Sequence, residues 1–164
     1  YDSKNRPSVY FEGNRNGFVA VSSRSLYRQN RMAVVRFSVK QNVDLTFNVL
    51  YEEWPMEDDV LIYAKTVVPF LPPLVLFDSV ASADFQYLGW SDRLSKTGNG
   101  GDRLPQAPSW HKDLNAVASM VAPVKVRLKF NFQDKPYVLM SSLAEQPSNL
   151  LSKYSGARAR EFAR

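Results

Sequence analysis

The strongest constraint on the fold of this chain is the alternation of apolar and polar residues between Ala33 and Leu50. Apolar residues occupy every second position on both sides of a short polar stretch, Lys40-Gln41-Asn42. Period-two alternation of β-branched and aromatic residues is typical of half-buried antiparallel strands. A three-residue loop keeps both apolar sets on one face, because a slip of one residue would turn one set outward. The pairs that this loop predicts are Val39–Val43, Phe37–Leu45 and Val35–Phe47.

Similar short apolar or alternating segments recur along the rest of the chain. The further strands that they predict are 9–11, 18–21, 60–68, 74–80, 83–90, 124–133 and 137–143. About eight or nine strands are typical of a β-sandwich, whereas an oligonucleotide-binding barrel uses about five. One amphipathic segment, Trp110–Val121, predicts a helix that Ser109 caps and Pro123 ends. The acidic segment 52–59 and the Gly- and Pro-rich segment 91–108 predict loops.

We therefore expect an all-β protein, an antiparallel β-sandwich of jelly-roll-like type with one short helix and a long Gly/Pro loop. The expected organisation is an extended N-terminal arm over residues 1–8, a single sandwich domain over 9–143, and a polar basic tail over 144–164. The apolar run from Val60 to Val80 contains Lys65, Asp78 and three prolines, so it does not predict a membrane span.

The composition argues against most catalytic and metal-binding chemistry. The chain has no cysteine, which excludes disulfides, thiolate metal sites and thiol catalysis. His111 is the single histidine, and we expect it at the surface in the first turn of the predicted helix. The acidic segment lacks the spacing of a calcium loop, and the glycines at 98–101 lack a phosphate-loop context. We expect no enzyme, cofactor or metal, and a hydrolase acting through Glu57 and Asp58 is a distant alternative.

Charge is segregated along the chain. The net charge is +6 over residues 1–40, −6 over 41–60 and +5 over 124–164, and the sequence pI is about 9.5. Such segregation favours oppositely charged partners, although solvated faces and edge-protecting strand residues give the same pattern. RNA phosphates are the candidate partner. The basic residues that we expect to contact them are Arg24, Arg28, Arg31, Arg36, Lys125, Arg127, Lys129, Arg158 and Arg160.

The segment Val75–Trp90, VLFDSVASADFQYLGW, is similar to the last strand of the jelly rolls of picorna-like icosahedral virus capsid proteins. This resemblance implies a structural virion protein that assembles with identical or homologous subunits and contacts packaged RNA. A start at Tyr1 would suit cleavage from a polyprotein. The alternative is an accessory subunit of a mitochondrial ribosome or respiratory complex, for which a cleaved transit peptide and a high pI are equally suitable. The sequence preceding Tyr1 in the precursor would separate the two.

Overall fold

The computed structural model describes residues 10–56, 67–98 and 104–143. Within these residues, ten strands and two short helices follow one another along the chain. They are β1 (Phe11–Asn14), β2 (Gly17–Ser22), β3 (Ala33–Gln41), β4 (Phe47–Pro55), β5 (Leu74–Val80), β6 (Ser82–Gly89), α1 (Arg93–Thr97), β7 (Ser109–His111), β8 (Leu114–Asn115), α2 (Ala116–Ser119), β9 (Lys125–Phe132) and β10 (Lys135–Ser142).

The strands form two antiparallel sheets, which confirms the predicted all-β sandwich. One sheet has six strands in the order β5-β4-β3-β2-β1-β8, and the other has four in the order β10-β9-β6-β7. Strands β1 to β5 run as a meander within the larger sheet, so jelly-roll connectivity is not confirmed. The segment Val75–Trp90 contains most of β5 and all of β6, which belong to different sheets and are separated by Ala81.

The core lies between the inner faces of the two sheets. Val35 and Tyr51 from the larger sheet and Phe85 and Leu128 from the smaller sheet are all buried there. Aromatic rings from opposite sheets meet edge to face, as where Phe18 lies 5.6 Å from Phe85 between ring centroids. The apolar side chains of these strands lie on the buried faces, as their alternation in the sequence predicts.

The predicted register of the β3–β4 hairpin is wrong. Val39 pairs with Val49 instead of Val43, and residues 42–46 form a five-residue connection. The Asn42 backbone N–H donates to the Thr46 carbonyl at 2.8 Å, and the Asn42 side chain donates to the Thr46 hydroxyl at 2.9 Å. These bonds close the loop and leave Val43 and Leu45 exposed, although the apolar faces stay aligned because the shift is an even number of residues.

Two predicted loops contain regular structure. Glu52 and Glu53 belong to β4 and not to a loop, while Glu57, Asp58 and Asp59 lie outside the described residues. The segment 91–108 contains α1, whose first turn is capped by Asp92: its carboxylate accepts a hydrogen bond from the Ser95 N–H at 2.8 Å. The predicted strand 60–68 falls mostly outside the described residues.

The predicted helix over Trp110–Val121 is wrong. Residues 109–111 form β7 because Trp110 pairs with Leu88 of β6, and only Ala116–Ser119 are helical. Asn115, not Ser109, caps this turn by accepting a hydrogen bond from the Ala118 N–H at 3.0 Å. Pairing with a distant strand outweighs the local helical pattern here. The predicted arm over 1–8 and tail over 144–164 lie outside the described residues.

Candidate functional site

One side of the sandwich is bordered by the edge strands of both sheets, β5 and β10, which we call the open edge. Phe77 of β5 packs on Phe130 of β9, with ring centroids 4.5 Å apart. Phe130 in turn stacks at 5.3 Å on Tyr137 of β10. This row of rings shows that β5 and β10 flank the same side of the core.

The open edge exposes large apolar side chains. On β5, Leu74, Val75 and Leu76 keep 45%, 49% and 38% of their surface accessible. On β10, the corresponding values lie between 42% and 56% for residues 137–140. A long, exposed, apolar edge is a site at which natural β-proteins pair with other chains unless they protect it.

The backbone of β10 offers regular hydrogen-bonding groups on its outer side. Gln133 and Asp134 have φ values of 49° and 58°, typical of a two-residue type I′ turn between β9 and β10. In such a hairpin the flanking pair Phe132–Lys135 is hydrogen-bonded, and the Leu143 N–H indeed donates to the Val124 carbonyl at 2.9 Å. Odd-numbered residues of β10 therefore bond to β9, and even-numbered residues direct their N–H and C=O groups outward.

The outward-directed residues of β10 are Pro136, Val138, Met140 and Ser142. Proline occurs in sheets where its missing N–H is not needed, and Pro136 stands on this outer side. Beyond Lys135, β10 carries no charged residue, so the edge lacks the charges that commonly prevent strand pairing. Within the described part of the chain, no strand pairs with the outer side of β10.

A second feature is a basic loop, residues 23–32, that joins β2 to β3. Its backbone is held by the fully buried carboxylate of Glu53 on β4. This carboxylate accepts hydrogen bonds from the Leu26 N–H at 2.8 Å and the Tyr27 N–H at 3.1 Å. It also accepts hydrogen bonds from the hydroxyls of Ser25 and of Tyr51. One buried carboxylate thus fixes the conformation of the loop.

The ionisation of Glu53 depends on the same contacts. Burial raises the pKa of Glu53, but the hydrogen bonds from Ser25, Tyr51 and the loop backbone outweigh burial and hold the pKa below its ordinary value. The anchored loop presents Leu26 and Tyr27, which are 70% and 51% exposed, and the exposed side chains of Arg24 and Arg28.

Within the described residues, the predicted RNA-contacting side chains do not form one surface. Arg24, Arg28 and Arg31 share the basic loop, whereas the outward residues of β9 lie on the far face of the other sheet. Those β9 residues are Lys125, Arg127 and Lys129. Arg158 and Arg160 lie outside the described residues.

The guanidinium groups of Arg36 and Arg127 contact other side chains of the protein. The Arg36 guanidinium on β3 forms a two-point ion pair with Glu52, with its Nε 2.6 Å from Oε2, and lies 4.2 Å from the ring centroid of Phe70. The Arg127 guanidinium lies 3.9 Å from the Trp110 ring centroid. Both guanidinium groups lie close to aromatic rings, which leaves them less available to phosphate than the exposed side chains of Arg24 and Arg28.

A shallow cavity of about 440 Å³ lies between α1, β7 and α2. Its polar side chains are used locally: Asp92 and Asn115 cap the two helices. His111 Nε2 lies 3.0 Å from the Ser109 hydroxyl. His111 is half-buried at the end of β7, which corrects its predicted position in a helix. The lining also includes Trp90 and Asp113.

Across residues 10–56, 67–98 and 104–143, no group of three or more His, Cys, Asp or Glu side chains could hold a metal ion. Neither described helix has the length and apolar character needed to cross a bilayer. Searches with family models, against curated proteins and against solved structures found no match to this chain.

Sequence reasoning identified β5 and β10 as strands but missed their position as edges. Alternation in β9 indicates one buried face. Residues 136–142 are uncharged and lack alternation, a pattern more typical of a strand covered on both faces, so it gives no signal of an exposed edge. Which strand lies at an edge depends on the topology, which the local pattern does not contain.

Proposed function

We propose that this protein is a non-enzymatic structural subunit of capsid type that assembles with copies of itself or with homologous subunits. The observation that supports this proposal is the open edge, where both sheets end in exposed apolar strands on one side of the sandwich. Folded monomers normally protect long edges with charges, prolines, bulges or covering loops. The outer side of β10 has one such device, Pro136 at the second residue of the strand, and no charged residue follows it in the strand.

The size of the apolar patch supports an interface. Seven large side chains on β5 and β10 retain between 38% and 56% of their accessible surface. At roughly 200 Å² for a fully exposed large side chain, they amount to about 660 Å², distributed over both faces of the two edge strands. Stable interfaces bury about 800 Å² on each partner, so the patch with its surrounding backbone is of the required order.

The basic loop is the part of the proposed subunit that we expect to contact packaged RNA. Arg24 and Arg28 are exposed on a loop whose backbone is anchored by Glu53, so their positions are held without using their guanidinium groups. Contacts of this kind are directed to phosphates and are independent of base sequence. The stacked and paired residues Arg36 and Arg127 contribute less in this proposal.

Sedimentation velocity of the full chain over a range of concentrations tests assembly. We expect association that increases with protein concentration. We expect Leu76→Lys on β5 to weaken this association, because a buried unpaired charge is costly at an interface. Leu26→Lys is the matched control, because Leu26 is an exposed apolar residue outside the open edge. A monomer at every concentration, alone and with related subunits, would contradict the proposal. Association only with unrelated organellar chains would favour the alternative subunit class.

A further inference from the structure

We propose that β10 pairs in antiparallel fashion with β10 of a second copy of this chain, about a two-fold axis at Leu139. This inference rests on the proposed assembly function and names the contact through which two subunits join. The pairing would extend each four-stranded sheet into a continuous eight-stranded sheet across the interface.

The geometry of the sheet edges favours β10 over the other candidates. Among the described residues, the sheets end in β5, β8, β7 and β10. Strands β7 and β8 have three and two residues, too few for a stable new ladder. Strand β5 is irregular, because its pairing with β4 shifts register twice and Ser79 has a φ of 53°. Strand β10 has eight residues in unbroken register with β9.

The outward backbone groups of β10 select the register. Val138 and Met140 both direct their N–H and C=O groups outward, so Val138 of each copy can exchange two hydrogen bonds with Met140 of the other. The Pro136 carbonyl then accepts a hydrogen bond from the Ser142 N–H of the second copy. Because proline has no N–H, the Ser142 carbonyl receives no hydrogen bond in return, so one hydrogen bond is missing at each end of the pairing. The axis passes between the two Leu139 residues, a pair without backbone hydrogen bonds.

Side-chain complementarity supports this register. It sets Leu139 against its own copy and Val138 against Met140, so apolar side chains meet. Moving the axis to Met140 would instead place Val138 opposite Ser142. Lys135, the single charged residue of β10, falls opposite Leu143 of the second copy, so no like charges face each other. The absence of charge elsewhere on the strand is what a self-pairing edge requires.

Cysteine crosslinking of the full chain tests the register directly, because the natural sequence contains no cysteine. Non-hydrogen-bonded antiparallel pairs have Cα atoms about 4.5 Å apart, within the range of a disulfide. Under mild oxidation, Leu139→Cys should form disulfide dimers at least about tenfold faster than Leu26→Cys, since pairing raises the local thiol concentration. Leu26 is the control, as it is exposed but lies on the basic loop.

Met140→Pro tests the backbone contact. The substitution removes an outward N–H while sparing the bonds to β9, so we expect the fold to persist and the dimer population to fall at least about tenfold. Thermal unfolding verifies the fold, and if this variant does not fold the crosslinking result decides alone.

The outcomes separate this inference from the proposed function. Rapid crosslinking at position 139 in a self-associating chain supports both. Self-association with no preference for crosslinking at 139 overturns the β10 contact and leaves the assembly function standing. If Leu139→Cys crosslinks only to a different added chain, the proposal that a second copy of this chain pairs with β10 is overturned. A chain that is monomeric at all concentrations and does not crosslink overturns both proposals.

Discussion

Gly13 on β1 lies directly against the ring of Tyr87 on β6, so close that a Cβ at Gly13 would stand 2.5 Å from the Tyr87 Cζ atom. Tyr87 is completely buried, and its hydroxyl donates to the carbonyl oxygens of Asn14 at 2.7 Å and Gly17 at 2.6 Å. A residue of the smaller sheet thus binds the β1–β2 turn of the larger sheet. This contact sets how closely the two sheets approach at one end of the sandwich.

We expect Gly13→Ala to destabilise the protein by about 1–3 kcal/mol, because the added methyl group must displace a buried aromatic ring. Urea unfolding at neutral pH measures the loss. Gly89→Ala is the graded control, since its Cβ would stand 3.1 Å from the Leu114 Cδ1 atom and 3.3 Å from the Pro123 Cα atom, a smaller overlap that should cost less. Equal stability of Gly13→Ala and the natural protein would show that the sheets separate freely at this point.

We expect Glu53→Gln to destabilise the protein by about 1–3 kcal/mol, because an amide nitrogen would face donors that now bond to a carboxylate oxygen. The Leu26 N–H bonds to one carboxylate oxygen and the Tyr27 N–H to the other, so one of these two amides would lose its acceptor and its hydrogen exchange should accelerate. Glu52→Gln is the matched control on the same strand; it weakens a partly exposed ion pair with Arg36 and should leave the loop amides unchanged.

The stability that Glu53 contributes should depend on pH. Its pKa in the folded protein is lower than the ordinary value of 4.5, so the unfolded chain takes up the proton first as the pH falls. The contribution is present above that ordinary pKa and is lost as the pH falls through the folded pKa. The difference in unfolding free energy between the natural protein and Glu53→Gln should therefore narrow between neutral and strongly acidic pH. A difference that stays constant would contradict this assignment.

Leu45 should be replaceable with a gain in stability. It has a φ of 66°, and its side chain is 73% exposed in the loop between β3 and β4. The left-handed conformation costs an ordinary residue about 1–2 kcal/mol, and asparagine tolerates it better. We expect Leu45→Asn to raise the unfolding free energy by up to about 1 kcal/mol. Val43→Asn, on the same loop without a positive φ, should give no such gain in a thermal unfolding measurement.

Binding of single-stranded RNA should weaken with salt if the basic loop contacts phosphates. Replacing Arg24, Arg28 and Arg31 together by Gln should flatten the logarithmic salt dependence by roughly two units, at about 0.7 per lost contact. Fluorescence anisotropy with labelled oligonucleotides of two unrelated sequences measures the slope. Arg93→Gln, an exposed arginine on α1, is the control. An unchanged slope, or strong preference for one sequence, would contradict the RNA hypothesis.

Part of the fold was predictable because it depends on neighbouring residues. In β9, Val126, Leu128 and Phe130 alternate with polar residues, and they are buried as the pattern indicates. The hairpin loop was predicted too short because Val43 and Leu45 continue the apolar alternation of β4. The polar bonds of Asn42 and Thr46 close the chain before those residues can pair. The alternation of apolar residues does not show that these polar hydrogen bonds prevail over pairing of Val43 and Leu45.

The site was less predictable than the fold. The basic residues were identified by type, but whether each is free depends on partners far away in sequence. Arg36 lies 16 residues from Glu52, and the carboxylate that anchors the basic loop lies 28 residues from Ser25. Glu53 was expected in a solvated acidic loop, whereas it is a buried acceptor, because the loop that it binds supplies donors that no local pattern reveals.

By itself, the sequence determined that this protein is an antiparallel β-sandwich without cysteine chemistry, because side-chain alternation along a strand decides which face is buried. Only the tertiary structure decided which strands border the sheets. The segments of β9 and β10 are adjacent in sequence and equal in length, but in the part of the chain that the structure describes β9 lies between two strands and β10 has one neighbouring strand. That difference arises from the order in which distant strands pair, which the alternation of side chains along one strand does not contain.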